Sequence, residues 1–134
     1  MDALSEQIDK FLTAPAFAVF GASDDSSKYG HKVYACYLQH DRKAYPINPK
    51  APTVLRNPAF KGLTDLPEKV ESISIITPPV VTEKIVKDAI ENGVKNIWMQ
   101  PGAESAAAVK QAEDAGLNVI HGGPCLLVVM GYHE

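Results

Sequence analysis

The stretch of sequence that decides the fold is AFAVFGASDDSSKYG, residues Ala16–Gly30. Its first five residues form an apolar run without alternation, which is typical of a strand buried on both faces of a parallel sheet. The run ends at Gly21, a polar loop follows, and a helix is predicted to begin near Lys28. This turn matches neither the dinucleotide-binding G-x-G-x-x-G pattern nor the P-loop. The stretch therefore predicts one strand–turn–helix unit and raises the question of what its turn binds.

The same alternation of apolar strand and amphipathic helix continues along the chain. Gly93 and Gly116 follow two of the helices, in the position of a left-handed helix cap. Strands are predicted at residues 16–20, 43–47, 73–76, 96–99 and 117–120, and helices at residues 28–40, 77–92 and 103–115. Such an order indicates the α/β class, with a single Rossmann-type, doubly wound parallel sheet in three α/β/α layers. We expect residues 1–134 to form one domain, with a short N-terminal helix at about residues 3–13.

Four local features complete this prediction. Ser26 or Ser27 is expected to cap the helix that follows the polar loop. The apolar stripe of that helix is predicted to comprise Val33, Tyr34, Tyr37 and Leu38. The proline-rich segment 49–58 is predicted to hold little regular structure beyond a short piece near Val54. The apolar tail LLVVM, residues 126–130, is predicted to form a further strand or core-filling coil.

Composition excludes several classes of partner. The chain has 134 residues and a formal net charge of −3, so nucleic acid is not an expected partner. Its apolar runs are too short to cross a bilayer, and its N-terminus is neither a signal nor a transit peptide, which predicts a cytoplasmic protein without a membrane partner. The cysteines and histidines show no metal-ligand spacing, so no metal is expected. Residues 26–61 nevertheless carry seven basic side chains and one acid, a local positive field that suits a small polyanion.

The turn after the first strand has the chemistry of a phosphate site. Gly21 permits positive φ and the close approach of a ligand, and the N-terminus of the following helix, together with Lys28, favours an anion. Gly30 is expected to let the helix pack closely on the strand, as the third glycine of the dinucleotide fingerprint does. These features favour phosphate binding over a plain connecting loop, provided that the carboxylates of Asp24 and Asp25 turn away from the anion.

The residues after the second strand narrow the class of nucleotide. A site for NAD usually places Asp or Glu here to bind the ribose 2′-hydroxyl, whereas this sequence has Asn48-Pro49-Lys50. The missing acid and the lysine disfavour NAD and favour a ribose that carries a phosphate. NADP and coenzyme A both contain such a ribose, so both remain open at this point.

Five short motifs occur in the order found in one protein family. They are Gly21-Ala22-Ser23, Lys28-Tyr29-Gly30, Tyr45-Pro46-Ile47-Asn48-Pro49, Thr77-Pro78-Pro79 and Ile97-Trp98-Met99-Gln100-Pro101-Gly102. Their order resembles the CoA-binding domain family, and above all its small stand-alone members, which are similar to the N-terminal domain of the succinyl-CoA synthetase α subunit. The resemblance extends from about Ala16 to Cys125. The chain departs from it in an apolar C-terminal end, where small members often carry basic residues.

The resemblance implies coenzyme A as the ligand and assigns roles to residues. The phosphates would be held by Gly21, Ala22, Ser23, Lys28 and Tyr29. The adenosine end would lie against Asn48, Pro49 and Lys50. The rest of the ligand would be lined by Thr77, Pro78, Met99, Gln100 and Pro101. Trp98 leads into the last of these turns and could serve as a fluorescence reporter.

No catalytic residue is predicted. His121 and Cys125 are interpreted as structural, and no Ser-His-Asp or paired-carboxylate arrangement is recognisable. The leading hypothesis is therefore non-catalytic binding of coenzyme A or acyl-CoA, by a ligand-binding module rather than an enzyme. One alternative is an NADP-binding protein or a small oxidoreductase. Another is an interaction subunit that docks on an acyl-CoA enzyme, or a homodimer, through the apolar tail.

Overall fold

The computed structural model describes residues 3–134 and contains a sheet of five strands. The strands are β1 Phe17–Phe20, β2 Ala44–Ile47, β5 Ser72–Ile75, β6 Asn96–Met99 and β7 Asn118–Ile120. Their spatial order is β2-β1-β5-β6-β7, and every neighbouring pair is parallel. Two shorter strands, β3 Thr53–Val54 and β4 Asn57–Pro58, form an antiparallel hairpin within the segment that joins β2 to β5. The chain order reverses beside β1, the position where ligands bind in such sheets.

Helices cover both faces of this sheet. Within residues 3–134 the α-helices are α1 Ala3–Leu12, α2 Tyr29–Gln39, α3 Pro79–Glu91, α4 Ala106–Asp114 and α5 Leu126–Met130, and a single 3-10 turn spans Leu63–Asp65. One core cluster contains buried side chains of α3 and α4, and the other contains those of α1, α2 and α5. The predicted doubly wound, three-layer fold is therefore confirmed. None of the helices in the described part of the chain has the length and apolar character of a membrane span.

A single residue, Phe60, pairs with the edge of β2 that faces away from β1. Phe60 forms a single parallel bridge with Ile47: its N–H donates to the Pro46 carbonyl at 2.9 Å, and its carbonyl accepts from the Asn48 N–H at 2.9 Å. The Ile47 carbonyl points the other way and accepts from the Gly21 N–H at 3.3 Å. A longer strand paired with this edge would need a hydrogen bond from the N–H of residue 46, which Pro46 does not have. If Phe60 is counted as a strand, the sheet has six strands. Numbered along the chain, their spatial order is then 3-2-1-4-5-6, which is the order of dinucleotide-binding folds.

Two predictions near the C-terminus are wrong. The alanine-rich helix begins at Ala106, not at residue 103, because Ser105 is its N-cap and the Ser105 Oγ accepts from the Ala108 N–H at 2.9 Å. The apolar tail forms helix α5 instead of a strand or coil. Its first residue, Leu126, is fully buried in the core, and Val128 in its middle is exposed. A helical turn pairs the backbone N–H and C=O groups of the segment while burying only one of its sides.

Two predictions for α2 are also wrong. Its N-cap is Lys28, which makes no side-chain cap hydrogen bond, because Ser27 instead donates to the Asp25 carboxylate. The inward-facing stripe contains Cys36, which is fully buried, whereas Leu38 is 37% exposed. The first turn of α2 therefore carries no capping side chain from its own N-cap residue.

Candidate functional site

A cavity of about 530 Å³ opens where the chain order reverses beside β1. It lies at the carboxyl ends of β1, β2 and β5, between α3 and the segment that follows β2. Its volume is within the range of small-molecule sites. Nine of the thirteen site residues predicted above line it, namely Gly21, Ala22, Ser23, Lys28, Asn48, Pro49, Lys50, Thr77 and Pro78.

Two glycines allow the turn after β1 to be this compact. Gly21 has φ +93°, and a Cβ there would lie 2.2 Å from the Ile76 carbonyl oxygen. A Cβ on Gly30 would lie 1.8 Å from the Gly21 carbonyl oxygen. Both contacts are to backbone, which cannot swing aside as a side chain does. The expectation that Gly30 lets α2 pack closely against the end of β1 is confirmed.

The two aspartates of the loop are engaged with the protein. Asp24 Oδ1 accepts from the Leu55 N–H at 2.7 Å, which ties the loop to the β3–β4 hairpin. Asp25 Oδ1 accepts from the Ser27 N–H at 3.0 Å and from its hydroxyl at 2.6 Å. These hydrogen bonds hold the pKa of the Asp25 carboxyl below its usual value. Neither aspartate lines the cavity, so the condition that they turn away from it is met.

Asn48 joins the turn after β2 to the turn after β1. Its Nδ2 donates to the Ala22 carbonyl at 3.0 Å. Its Oδ1 accepts from the Lys50 N–H at 2.9 Å and from the Ala51 N–H at 3.2 Å. The side-chain amide is thus occupied by three backbone partners, and Asn48 shapes the wall that carries Lys50.

Three lysines make the cavity electropositive. Lys28 comes from the start of α2, Lys50 from the turn after β2, and Lys61 from the residue after the Phe60 bridge. Within residues 3–134 none of them forms an ion pair. Lys61 was not among the predicted site residues. The signal for it was the excess of basic residues in segment 26–61, which did not show which of them share a site.

Helix α3 forms an apolar wall that ends in an acid. Val81, Ile85 and Asp88 line the cavity and follow one another by four and three residues, so they share one face of the helix. Ile76 and Gly62 also line the cavity. None of these five residues was predicted. For the three on α3, the helical periodicity alone does not show what that face meets.

Four predicted site residues lie outside the cavity lining. Tyr29 is 61% exposed, and the Lys32 Nζ lies 5.5 Å from the centre of its ring. Met99 and Gln100 are buried, and Pro101 is exposed.

The side chain of Gln100, at the end of β6, forms hydrogen bonds with the segment that begins α5. Its Oε1 accepts from the Leu126 N–H at 2.8 Å, and its Nε2 donates to the Cys125 Sγ at 3.3 Å. These bonds attach the start of α5 to the sheet. Cys125 and His121 also lie outside the cavity lining, as does Trp98, which is fully buried in the core cluster of α1, α2 and α5.

The comparison with protein families shows which family the chain belongs to. The profile of the CoA binding domain family matches residues 15–131. The chain belongs to this family. The resemblance inferred from the five motifs is confirmed, and the family match gives the NADP alternative no support.

Relatives of this CoA-binding family member fall into two size classes. The larger class includes the α subunit of ADP-forming acetate–CoA ligase II from Pyrococcus furiosus. It is 26% identical over 137 aligned positions, and the alignment covers 94% of this chain and 30% of that subunit. The chain therefore spans less than a third of that relative. A solved structure of a conserved hypothetical protein from Pyrococcus furiosus matches with 32% identity and a TM-score of 0.80, over 85% of this chain and 97% of that one. A hypothetical protein from Pyrococcus horikoshii matches with 27% identity and a TM-score of 0.87, over 95% and 89%.

Proposed function

We propose that the chain binds coenzyme A or an acyl-CoA in the cavity beside β1, without catalysing a reaction on it. The observation that carries the proposal is the meeting of three lysines from three separate segments in one cavity of a CoA-binding family member. CoA carries a diphosphate and a ribose phosphate, and its thiol carries the acyl group.

The residues present fit such a polyanion. Lys28, the glycine turn after β1 and the first turn of α2, which its N-cap side chain leaves uncapped, would hold the diphosphate, since helix N-termini favour phosphate. Lys50 and Lys61 would hold the ribose phosphate. The carboxylates of Asp24 and Asp25 are satisfied elsewhere, so they do not oppose the anion directly.

Binding without catalysis is supported by what lines the cavity. Its described lining contains neither histidine nor cysteine, the side chains that most often act as general base or thiol nucleophile. Thr77, the hydroxyl-bearing residue after β5, has its Oγ1 2.9 Å from the Thr82 Oγ1. In this proposal the lining side chains hold and orient a ligand.

Calorimetric titration with CoA, dephospho-CoA, NADP and NAD tests the proposal. We expect CoA to bind more tightly than dephospho-CoA, by about tenfold, since an ionic hydrogen bond contributes about 1.5 kcal/mol. Lys50→Ala and Lys61→Ala should each narrow that gap. Lys10→Ala, which removes the same charge on α1 away from the cavity, should leave it unchanged. Binding of NADP without binding of CoA would contradict the proposal.

The length of the ligase relative favours a second candidate function. The matched segment is 30% of a larger ligase subunit, so the second candidate function is that of a module that docks on a polypeptide carrying the remaining ligase segments. Helix α5 would be the contact, since Val128 is 81% and Val129 43% exposed. The test is size-exclusion chromatography of the chain mixed with a ligase α subunit that lacks its own CoA-binding segment. Co-elution that Val128→Asp abolishes would support docking, and separate elution would contradict it.

A further inference from the structure

We infer that Asp88 selects the base of the bound nucleotide, by accepting a hydrogen bond from the 6-amino group of adenine. This inference rests on the proposed function, because it assumes that a nucleotide occupies the cavity beside β1. It names a residue that determines specificity, at the end of the cavity away from the glycine turn.

Asp88 shares one wall of the cavity with two aliphatic side chains of α3. Val81, Ile85 and Asp88 line it from the same face of α3. At a rise of about 1.5 Å per residue, Val81 and Asp88 are roughly 10 Å apart along the helix axis. A purine is flat and apolar on its faces but polar at its edge. A wall of two branched aliphatic side chains followed by one carboxylate matches that distribution.

The carboxylate of Asp88 has no partner among residues 3–134. The hydrogen bonds at this residue are to its carbonyl oxygen, which accepts from the Asn92 N–H at 3.0 Å and from its side-chain Nδ2 at 2.8 Å. Asp88 also lies in the last turn of α3, where the helix dipole disfavours a negative charge. The helix dipole therefore gives no reason for an acid at this position.

Phosphate binding gives no reason for it either. A carboxylate in a cavity that takes a polyanion weakens binding by repulsion, unless it contacts another part of the ligand. The three lysines lie on the β1 and β2 side, and Asp88 lies on α3 across the cavity. With the phosphates at the lysines, the parts of the ligand left for α3 are the base and the arm that carries the thiol. Of these two, the base has the flat apolar faces and the polar edge that match Val81, Ile85 and Asp88.

The chemistry of the purine edge makes Asp88 selective. Adenine presents an amino donor at position 6, whereas guanine and hypoxanthine present a carbonyl acceptor there. An ionised carboxylate accepts only, so it attracts the first and repels the second. A site that hydrogen-bonds a donor discriminates strongly against the analogue that lacks it, and solvent exposure of Asp88 reduces this to about tenfold.

The experiment compares adenosine 3′,5′-bisphosphate with inosine 3′,5′-bisphosphate by calorimetry. The variants are Asp88→Asn and the control Glu91→Gln, which removes one negative charge from the exposed end of the same helix, outside the cavity lining. We expect wild type and Glu91→Gln to prefer the adenosine nucleotide by about tenfold. Asp88→Asn should bind both equally, because a carboxamide can either accept from an amino group or donate to a carbonyl.

Each other outcome has a defined meaning. If CoA binds to wild type but the two bisphosphates bind equally, the assignment of Asp88 is wrong and the proposed function stands. If Asp88→Asn weakens both nucleotides while keeping the preference, the carboxylate contacts the ribose, and the inference is overturned. If neither CoA nor the bisphosphates bind to wild type, the proposed function fails and the inference fails with it.

Discussion

The Gly30 α-carbon packs against the Gly21 carbonyl so closely that a Cβ on Gly30 would lie 1.8 Å from that oxygen. This contact joins the first turn of α2 to the end of β1 and brings Lys28 to the cavity. The compactness of the turn thus depends on the absence of a single carbon atom.

Gly30→Ala should destabilise the fold, because the new methyl group meets backbone that cannot move away. Overpacking of this kind costs about 3 kcal/mol, measurable as a lower urea midpoint with an unchanged m-value. Gly62→Ala is the matched control, since a Cβ there meets nothing within 4 Å and its backbone is extended. Equal stability of the two variants would contradict the close packing.

Asp24→Ala should loosen the β3–β4 hairpin. The hairpin turn contains Leu55 and Arg56 with φ of +48° and +66°, a conformation that costs energy for non-glycine residues. Asp24 accepts the Leu55 N–H at 2.7 Å and so helps to hold it. We expect the free energy of unfolding to fall by about 1 kcal/mol and the Leu55 amide to exchange faster with solvent. Asp24→Asn keeps an acceptor oxygen and should lose less; a loss equal to that of Asp24→Ala would exclude this bond as the cause.

The two thiols should differ in reactivity. Burial, and then the nearby Cys125, raise the pKa of the Cys36 thiol to about 11, whereas Cys125 is partly exposed. With a thiol reagent at pH 8, Cys125 should react in a fast phase. Cys36 should react about 100-fold more slowly than an exposed thiol of ordinary pKa, since its raised pKa suppresses the thiolate. Cys125→Ser should remove the fast phase, and a single phase for both thiols in the wild type would contradict the burial of Cys36.

The same raised pKa predicts alkaline loss of stability. The folded state holds the Cys36 proton more tightly than the unfolded state, so this contribution is present below about pH 8.5 and is lost as pH rises towards 11. Burial likewise raises the pKa of Tyr37, which acts in the same direction. Between pH 7 and pH 10.5 the free energy of unfolding should fall by about 2 kcal/mol from Cys36. Cys36→Ala should show a correspondingly smaller fall in urea titrations.

Trp98 should report unfolding but not ligand binding, contrary to the expectation from its position in the sequence. Its indole is fully buried, donates to the Pro124 carbonyl at 3.1 Å, and meets the Phe11 ring edge-on at 5.3 Å. The emission maximum should therefore stay unchanged on saturation with CoA and shift to the red in urea. A shift on ligand addition would place Trp98 in contact with the site.

The regular elements were predictable because their signals are local. β6 occupies residues 96–99 as predicted, since an apolar run is bounded by a glycine-terminated helix and a Pro-Gly turn. Gly93 and Gly116 have the positive φ expected of helix ends. The prediction for residues 126–130 was wrong because LLVVM is apolar throughout. Its secondary structure therefore depends on which of its sides the core covers.

The site was predictable only in part. The sequence identified the glycine turn and Lys50, because a strand end followed by a phosphate-compatible loop is a local pattern. It missed Lys61 and Asp88, which enter the cavity from a one-residue bridge and from the last turn of a helix. It also assigned ligand contact to Gln100, which in the folded chain holds Cys125 and the start of α5.

The sequence by itself determined the order of strands and helices, the two glycines of the β1 turn and membership in the CoA-binding family. The tertiary structure decided which polar groups face the cavity. Asp24 turns away because its carboxylate accepts from the N–H of Leu55, 31 residues further along the chain. Lys28, Lys50 and Lys61 line the same cavity and form no ion pair within residues 3–134. The physical reason is that helix and strand periodicity follow from neighbouring residues, whereas the satisfaction of a charge depends on groups that only folding brings within hydrogen-bond distance.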